Sequence, residues 1–177
     1  DLMKPRVKRH EWYMNLAAET AKRSTCLRRC YGAILVNTRD EVVATGYNGS
    51  PRTNKHCDEM GTCLRDTLNI PSGERYELCC SVHAEQNALI QAGRNAAGCT
   101  LYLAGFNRKT GEPDYSTPCF LCTKLLINAR VFGVILRTTE GDGYVWVPPQ
   151  RLYDTYIKNL KPDWSITDDT DTDVKQT

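Results

Sequence analysis

The chain has 177 residues, with 23 Lys and Arg against 21 Asp and Glu and 41% hydrophobic residues. That length and apolar content suit one compact domain with a sizeable core, and the formal charge of +2 excludes a general drive toward nucleic acid or acidic membranes. No apolar run approaches a bilayer span, the opening Asp1-Leu-Met-Lys-Pro-Arg6 has no signal-peptide core, and an odd count of nine cysteines suggests free thiols and metal ligands, so a cytoplasmic protein is expected.

Residues 10–23 are predicted as an amphipathic helix with Met14, Ala17, Ala18 and Ala21 inward. Residues 31–37 and 41–47, both apolar and β-rich, flank Thr38-Arg39-Asp40 and predict a hairpin. Residues 48–80, rich in Gly, Pro, polar residues and cysteine, are too long for an ordinary connection, and such loops in a compact domain are functional or stapled. Residues 82–92 read as a helix with Ala84, Ala88, Leu89 and Ala92 on one face, stopped by Gly93. A strand over 99–104 follows, then a helix started by Thr117 and Pro118 whose Leu121, Leu125 and Leu126 face a core, and a strand over 131–137. Pro149 is expected to begin a last helix with Leu152, Tyr153, Tyr156, Ile157 and Leu160 as its apolar stripe. Alternating strands and helices imply parallel pairing through crossover helices, hence an α/β fold with a mixed sheet covered on both faces. One domain is expected over 1–165, with a flexible acidic tail over 166–177 and no internal repeat.

Two short segments carry the chemistry: Cys80-Ser-Val-His83-Ala-Glu85 and Thr117-Pro-Cys119-Phe-Leu-Cys122. One histidine and two thiolates are three zinc ligands that leave a fourth position open for water, which separates a catalytic site from a closed structural one. Each half is weak alone, but joined in this order, with Pro118 before the first cysteine and each half opening a helix, they match the zinc deaminase signature. Cys119 and Cys122 are three apart on a helix and point the same way. A helix N-terminus stabilises the thiolate that zinc requires.

With Arg23-Ser-Thr-Cys26, Gly32-Ala-Ile and Gly46-Tyr-Asn-Gly-Ser-Pro51 added in the same order, the stretch from about Trp12 to Leu136 resembles the deoxycytidylate (dCMP) deaminase family of the cytidine deaminase superfamily. The resemblance implies a three-layer α/β/α fold around a five-stranded mixed sheet. It also implies a water activated by zinc for attack on C4 of cytosine. Glu85 would take the proton from that water, deliver it to ring N3 and later protonate the departing amine, work that needs a carboxyl pKa raised by a dry pocket. Asn48 would contact the sugar or phosphate and the Ala84 backbone N–H the pyrimidine carbonyl. Arg23 and Arg28 are the arginines at family positions able to bind phosphate bidentately. After Leu136 the chain departs from the family, with Arg137-Thr-Thr-Glu-Gly-Asp-Gly-Tyr-Val-Trp-Val standing where a pocket-closing segment is expected.

The spare ligands Cys26, His56, Cys57, Cys63, Cys79 and Cys80 gather around the long segment, where relatives hold a second, structural zinc. The favoured set is Cys26, Cys57, Cys79 and either His56 or Cys63, with Cys80 as the alternative to Cys79; Cys30 and Cys99 are expected in the core. The resemblance further implies a homohexamer, activation by dCTP with Mg2+ and inhibition by dTTP, with no nucleic-acid or membrane partner. The expected reaction is conversion of dCMP and water to dUMP and ammonia, feeding thymidylate synthesis. Competing readings are a deaminase of cytidine, CMP or dCTP, an RNA adenosine deaminase, which should show a basic face, and a zinc scaffold without catalysis, which has no use for Glu85.

Overall fold

The computed structural model describes residues 3–139 and 143–160. The hairpin forms where the β-rich runs place it: β1 (Arg29–Val36) pairs antiparallel with β2 (Val42–Tyr47). Its turn is held by Asn37, whose side-chain oxygen accepts the N–H groups of Arg39 and Glu41, while Asp40 takes a positive φ of 61°. On its other side β1 pairs antiparallel with β3 (Thr100–Asn107), which pairs in parallel with β5 (Gly133–Arg137). A final antiparallel strand, β6 (Tyr144–Val147), completes the order β2-β1-β3-β5-β6, and the two-residue β4 (Pro113–Asp114) pairs with β3 off this path. The mixed α/β sheet expected from the sequence is thus present, with the parallel pairing confined to β3 and β5.

Strand side chains alternate between two cores, as a pleated sheet covered on both faces requires. Ala33 and Leu35, Leu101 and Leu103, and Val134 and Leu136 face α4 (Ala84–Ala92) and α5 (Phe120–Asn128). Their neighbours Ile34, Tyr102 and Ile135 face Tyr13, Met14 and Ala17 of α1 (Arg9–Ala21). Two glycines let helices lie on strand backbone. A Cβ on Gly32 would overlap the Ala17 carbonyl of α1, and one on Gly46 would overlap the Ala84 carbonyl and the Ala88 nitrogen of α4.

Helix α4 also covers the outer edge of the sheet. Gln91 Oε1 accepts the Thr45 N–H of β2 at 2.7 Å, and Asn87 Nδ2 donates to the Tyr47 carbonyl at 2.8 Å. The long segment is closed at its base by a two-hydrogen-bond bridge between Gly49 and Val82. Inside it lie two single-turn helices that the sequence reading did not anticipate, α2 (Cys57–Met60) and α3 (Leu64–Thr67), and a 3-10 turn over Tyr76–Leu78.

The last helix, α6 (Pro149–Leu160), begins at Pro149 as expected. Leu152 is buried and Tyr153 and Tyr156 pack on Phe120, but Leu160 is exposed, so the apolar stripe stops short of the helix end. The expected tail over 166–177 lies outside the described residues.

Candidate metal centre and substrate cavity

His83 and Cys119 each stand immediately before a helix, as the N-caps of α4 and α5. Gln86 Oε1 accepts the His83 backbone N–H at 2.8 Å, and Cys119 Sγ accepts the Cys122 backbone N–H at 3.5 Å, so each helix start fixes its own ligand. From the far side, the Tyr156 hydroxyl of α6 donates to the Pro118 carbonyl at 2.9 Å and anchors the residue before Cys119. His83 Nδ1 then lies 3.4 Å from the sulfurs of both Cys119 and Cys122. A tetrahedral zinc with ordinary Zn–S and Zn–N lengths would separate such donors by about 3.6 Å. Among the described residues, this is the one trio of metal-ligating side chains with all ligand atoms within 4.8 Å of one another.

The electrostatics suit a cation. A hydrogen bond from Cys122 pushes the Cys119 thiol down to about 4, with burial opposing and His83 adding to the effect. The same bond and burial push Cys122 up. Burial disfavours a charged His83, but hydrogen bonds to Cys119 and Cys79 and the thiolate charge outweigh it and hold the imidazole up to about 10. These protons are the ones a divalent metal displaces when it binds. Glu85, in the first turn of α4, is 5% exposed, and burial, the largest influence on it, raises its carboxyl.

One cavity joins these groups: His83, Ala84, Glu85 and Cys119 line it together with Asn48 and Arg28. Ala84 is the first residue of α4, so its N–H has no acceptor within the helix. Asn48 is buried and largely committed to the protein: Oδ1 accepts the Tyr31 N–H at 2.8 Å and Nδ2 donates to the Arg29 carbonyl at 2.9 Å. It therefore clamps the start of β1 and has one amide hydrogen left for a ligand. Arg23 is exposed and does not line the cavity, because the chain turns away after Ala21.

The six spare ligands are placed around the long segment, and Cys26, Cys63 and Cys79 line the cavity, but no trio of the six reaches metal-ligand spacing. His56 is the N-cap of α2, with Nδ1 3.2 Å from Thr25 Oγ1. Cys30 and Cys99 are buried in the core as expected.

Residues 7–138 match the family model described as the cytidine and deoxycytidylate deaminase zinc-binding region. The chain belongs to that family. A deoxycytidylate deaminase of Mycobacterium phage D29 is 34% identical over 131 residues, 71% of this chain and 91% of the relative. The deoxycytidylate deaminase of Schizosaccharomyces pombe is also 34% identical, over 78% of this chain but only 41% of its own length. This deaminase-family chain thus spans about two-fifths of the yeast relative. The cytidine deaminase of Burkholderia pseudomallei shares the fold, with a TM-score of 0.53 at 17% identity, covering 81% of this chain and 94% of that one.

Against this family background, the cavity lining includes residues that the sequence reading missed, Arg65 and Tyr31 among them. Arg65 of α3 is buried beneath the long segment, its guanidinium 4.7 Å from the Tyr76 ring centre, and Tyr76 in turn meets the His83 ring edge-on at 5.2 Å. Nothing in Cys63-Leu-Arg65-Asp marks a buried arginine, since the same pattern suits a solvated helix turn. Tyr31 also lines the cavity, its ring lying where a side chain on Gly105 would be, a pairing visible only once β1 and β3 are in register.

Proposed function

We propose that the chain is a zinc-dependent hydrolytic deaminase of a cytosine deoxynucleotide, converting dCMP and water to dUMP and ammonia. The observation that carries this reading is Glu85, a buried carboxyl with a raised pKa, two residues from His83 and in the cavity that His83 and Cys119 line. His83, Cys119 and Cys122 would hold the metal. Bound zinc supplies the Lewis acidity that makes water a nucleophile near neutral pH. Glu85 accepts a proton from the attacking water and passes it to N3 as the new C–O bond forms at C4. It then hands a proton to the exocyclic nitrogen as the C4–N bond breaks and ammonia leaves. The free N–H of Ala84 holds the pyrimidine carbonyl, while Asn48 keeps Arg29 and Tyr31 of β1 against the cavity and offers its remaining N–H to the sugar.

A second, structural zinc on Cys26, Cys57, Cys79 and either His56 or Cys63, with Cys80 as the alternative to Cys79, belongs to the same reading. What supports it is Cys57, whose thiol is held up to about 11 by burial and by the neighbouring sulfurs of Cys80, Cys26, Cys63 and Cys79. Side-chain rotations would have to draw four of these groups together. Two zinc ions per chain, falling to one in Cys57→Ser, is the expected metal analysis; one per chain in both proteins would remove the second site. A hexamer, dCTP with Mg2+ as activator, dTTP as inhibitor, a cytoplasmic setting and a single domain over 1–165 rest on the family resemblance alone.

The reading is tested by mass spectrometry of products from dCMP, CMP, dCTP, deoxycytidine and cytosine, with Glu85→Gln as the blank. Conversion of dCMP, stimulated by dCTP, is expected. Turnover of another member in its place would move the substrate assignment, and silence across the panel would overturn the deaminase reading.

A further inference from the structure

Four buried side-chain polar atoms among the described residues have no hydrogen-bond partner: Arg28 Nη1, Ser50 Oγ, Arg65 Nε and Ser81 Oγ. Such atoms are rare in folded proteins, because a buried donor without an acceptor forfeits its hydration for nothing. Arg28, Arg65 and Ser81 all line the cavity that also holds Glu85 and Cys119. Three orphaned groups therefore converge on one space, and they come from three parts of the chain: the approach to β1, helix α3, and the residue two before His83.

The charges separate these arginines from a third that lines the same cavity. Arg29 is ion-paired with the buried carboxylate of Asp114 and is already neutralised. Arg28 Nη1 lies 3.2 Å from the half-exposed Asp66, without hydrogen-bond geometry. Arg65 is 6% exposed, donates one hydrogen bond at 2.8 Å to the Pro71 carbonyl and stacks on Tyr76, and among the described residues no carboxylate lies within 4 Å of it. Asp66, its neighbour in the chain, lies against Arg28, and Glu77 is paired with Arg75. A guanidinium this buried without a counter-charge is unfavourable unless an anion joins it.

We propose that Arg65, with Arg28 and Ser81, forms the subsite that binds the 5'-phosphate of the substrate, so that the segment over 48–80 reads the phosphorylation state of the nucleotide. The proposal rests on the cavity being the cytosine-nucleotide site. Two guanidinium groups and a hydroxyl supply several donors from different directions, which matches the acceptor oxygens of a phosphate monoester better than a planar carboxylate. Arg65 acts here as a specificity residue: stacking on Tyr76 and bonding to Pro71 fix its plane, leaving Nε for the ligand.

The test uses the zinc-loaded full chain and measures kcat/KM for dCMP and deoxycytidine in wild type, Arg65→Gln, Arg65→Lys and Ser81→Ala. The preference for dCMP should fall about 100-fold in Arg65→Gln and about 10-fold in Ser81→Ala, chiefly through KM for dCMP, with Arg65→Lys in between. An unchanged preference in folded Arg65→Gln overturns the proposal; if that variant does not fold, Arg65→Lys and Ser81→Ala decide in the same way. Inorganic phosphate is the second probe. It should raise the melting temperature of wild type and have a smaller effect on each variant, an outcome that stands even if neither substrate is deaminated and the deaminase reading fails. No phosphate shift in wild type, or equal shifts in all four proteins, would sink the subsite whatever the activity assay gives.

Discussion

Gly46 of β2 lies against the backbone carbonyl of Ala84, so the strand and the first turn of α4 touch with no side chain between them. Ala84 stands between His83 and Glu85, and the contact therefore sets how far the metal ligand and the buried carboxyl reach over the sheet. Gly46→Ala forces α4 away from β2. Overpacking of this kind costs about 1–3 kcal/mol. A melt of the zinc-loaded protein should show that loss, and a competitive zinc titration should show weaker binding; unchanged zinc affinity would mean that His83 is positioned independently of the glycine.

Glu85→Gln preserves the shape of the side chain and removes its proton chemistry. Turnover of dCMP should fall by about 10²–10⁴-fold, the usual contribution of a positioned acid or base. Zinc content measured on the same preparation should stay at the wild-type value. Full activity in the variant would assign the proton transfers to another group.

Replacing Cys119 or Cys122 by Ser removes one of the three proposed ligands, and for Cys119 also the acceptor of the Cys122 N–H. Each variant should lose stoichiometric catalytic zinc, read by atomic absorption after exhaustive dialysis. Chelation of wild type should likewise lower its melting temperature, because metal binding is coupled to the folded arrangement of the two helix starts. Retention of zinc after either substitution would contradict the ligand assignment.

Asn48→Ala removes the acceptor of the Tyr31 N–H and the donor to the Arg29 carbonyl in one step. Two backbone groups beside the cavity lose their partners, a cost of about 1–3 kcal/mol for each group left unsatisfied. Hydrogen exchange should speed up at Tyr31. If Asn48 were only a ligand contact, KM would rise while exchange at that amide stayed slow.

The candidate quartet of His83, Glu85, Cys119 and Cys122 was legible in sequence because it lies in two short segments, and helix-start chemistry is local. The helices expected to start at residue 82 and at Thr117–Pro118 start at Ala84 and Phe120, which makes His83 and Cys119 the caps, a shift of about two positions that the hydrophobic period alone cannot resolve. The longer strands were equally readable, since Ala33-Ile34-Leu35-Val36 and Leu101-Tyr102-Leu103-Ala104 are continuous apolar runs, the pattern of strands buried on both faces. Strand β6 was not assigned: Tyr144–Val147 is only four residues long, and its pairing with β5 is a long-range choice. Arg65 was invisible for a related reason, because its burial is created by a 3-10 turn and a proline that fold over it from residues further along the chain. Arg23 was overvalued because a motif position says nothing about which way the chain turns after α1.

The hydrogen bonds from Gln91 and Asn87 to β2 affect how copies of this chain could meet. An edge strand with free backbone groups invites another strand to pair with it. Here the Thr45 N–H and the Tyr47 carbonyl are already taken by side chains of α4, so continuous sheet growth past β2 would first have to break two bonds held by the helix that carries Glu85. An assembly built by docking against this edge, with no strand added, leaves that helix undisturbed.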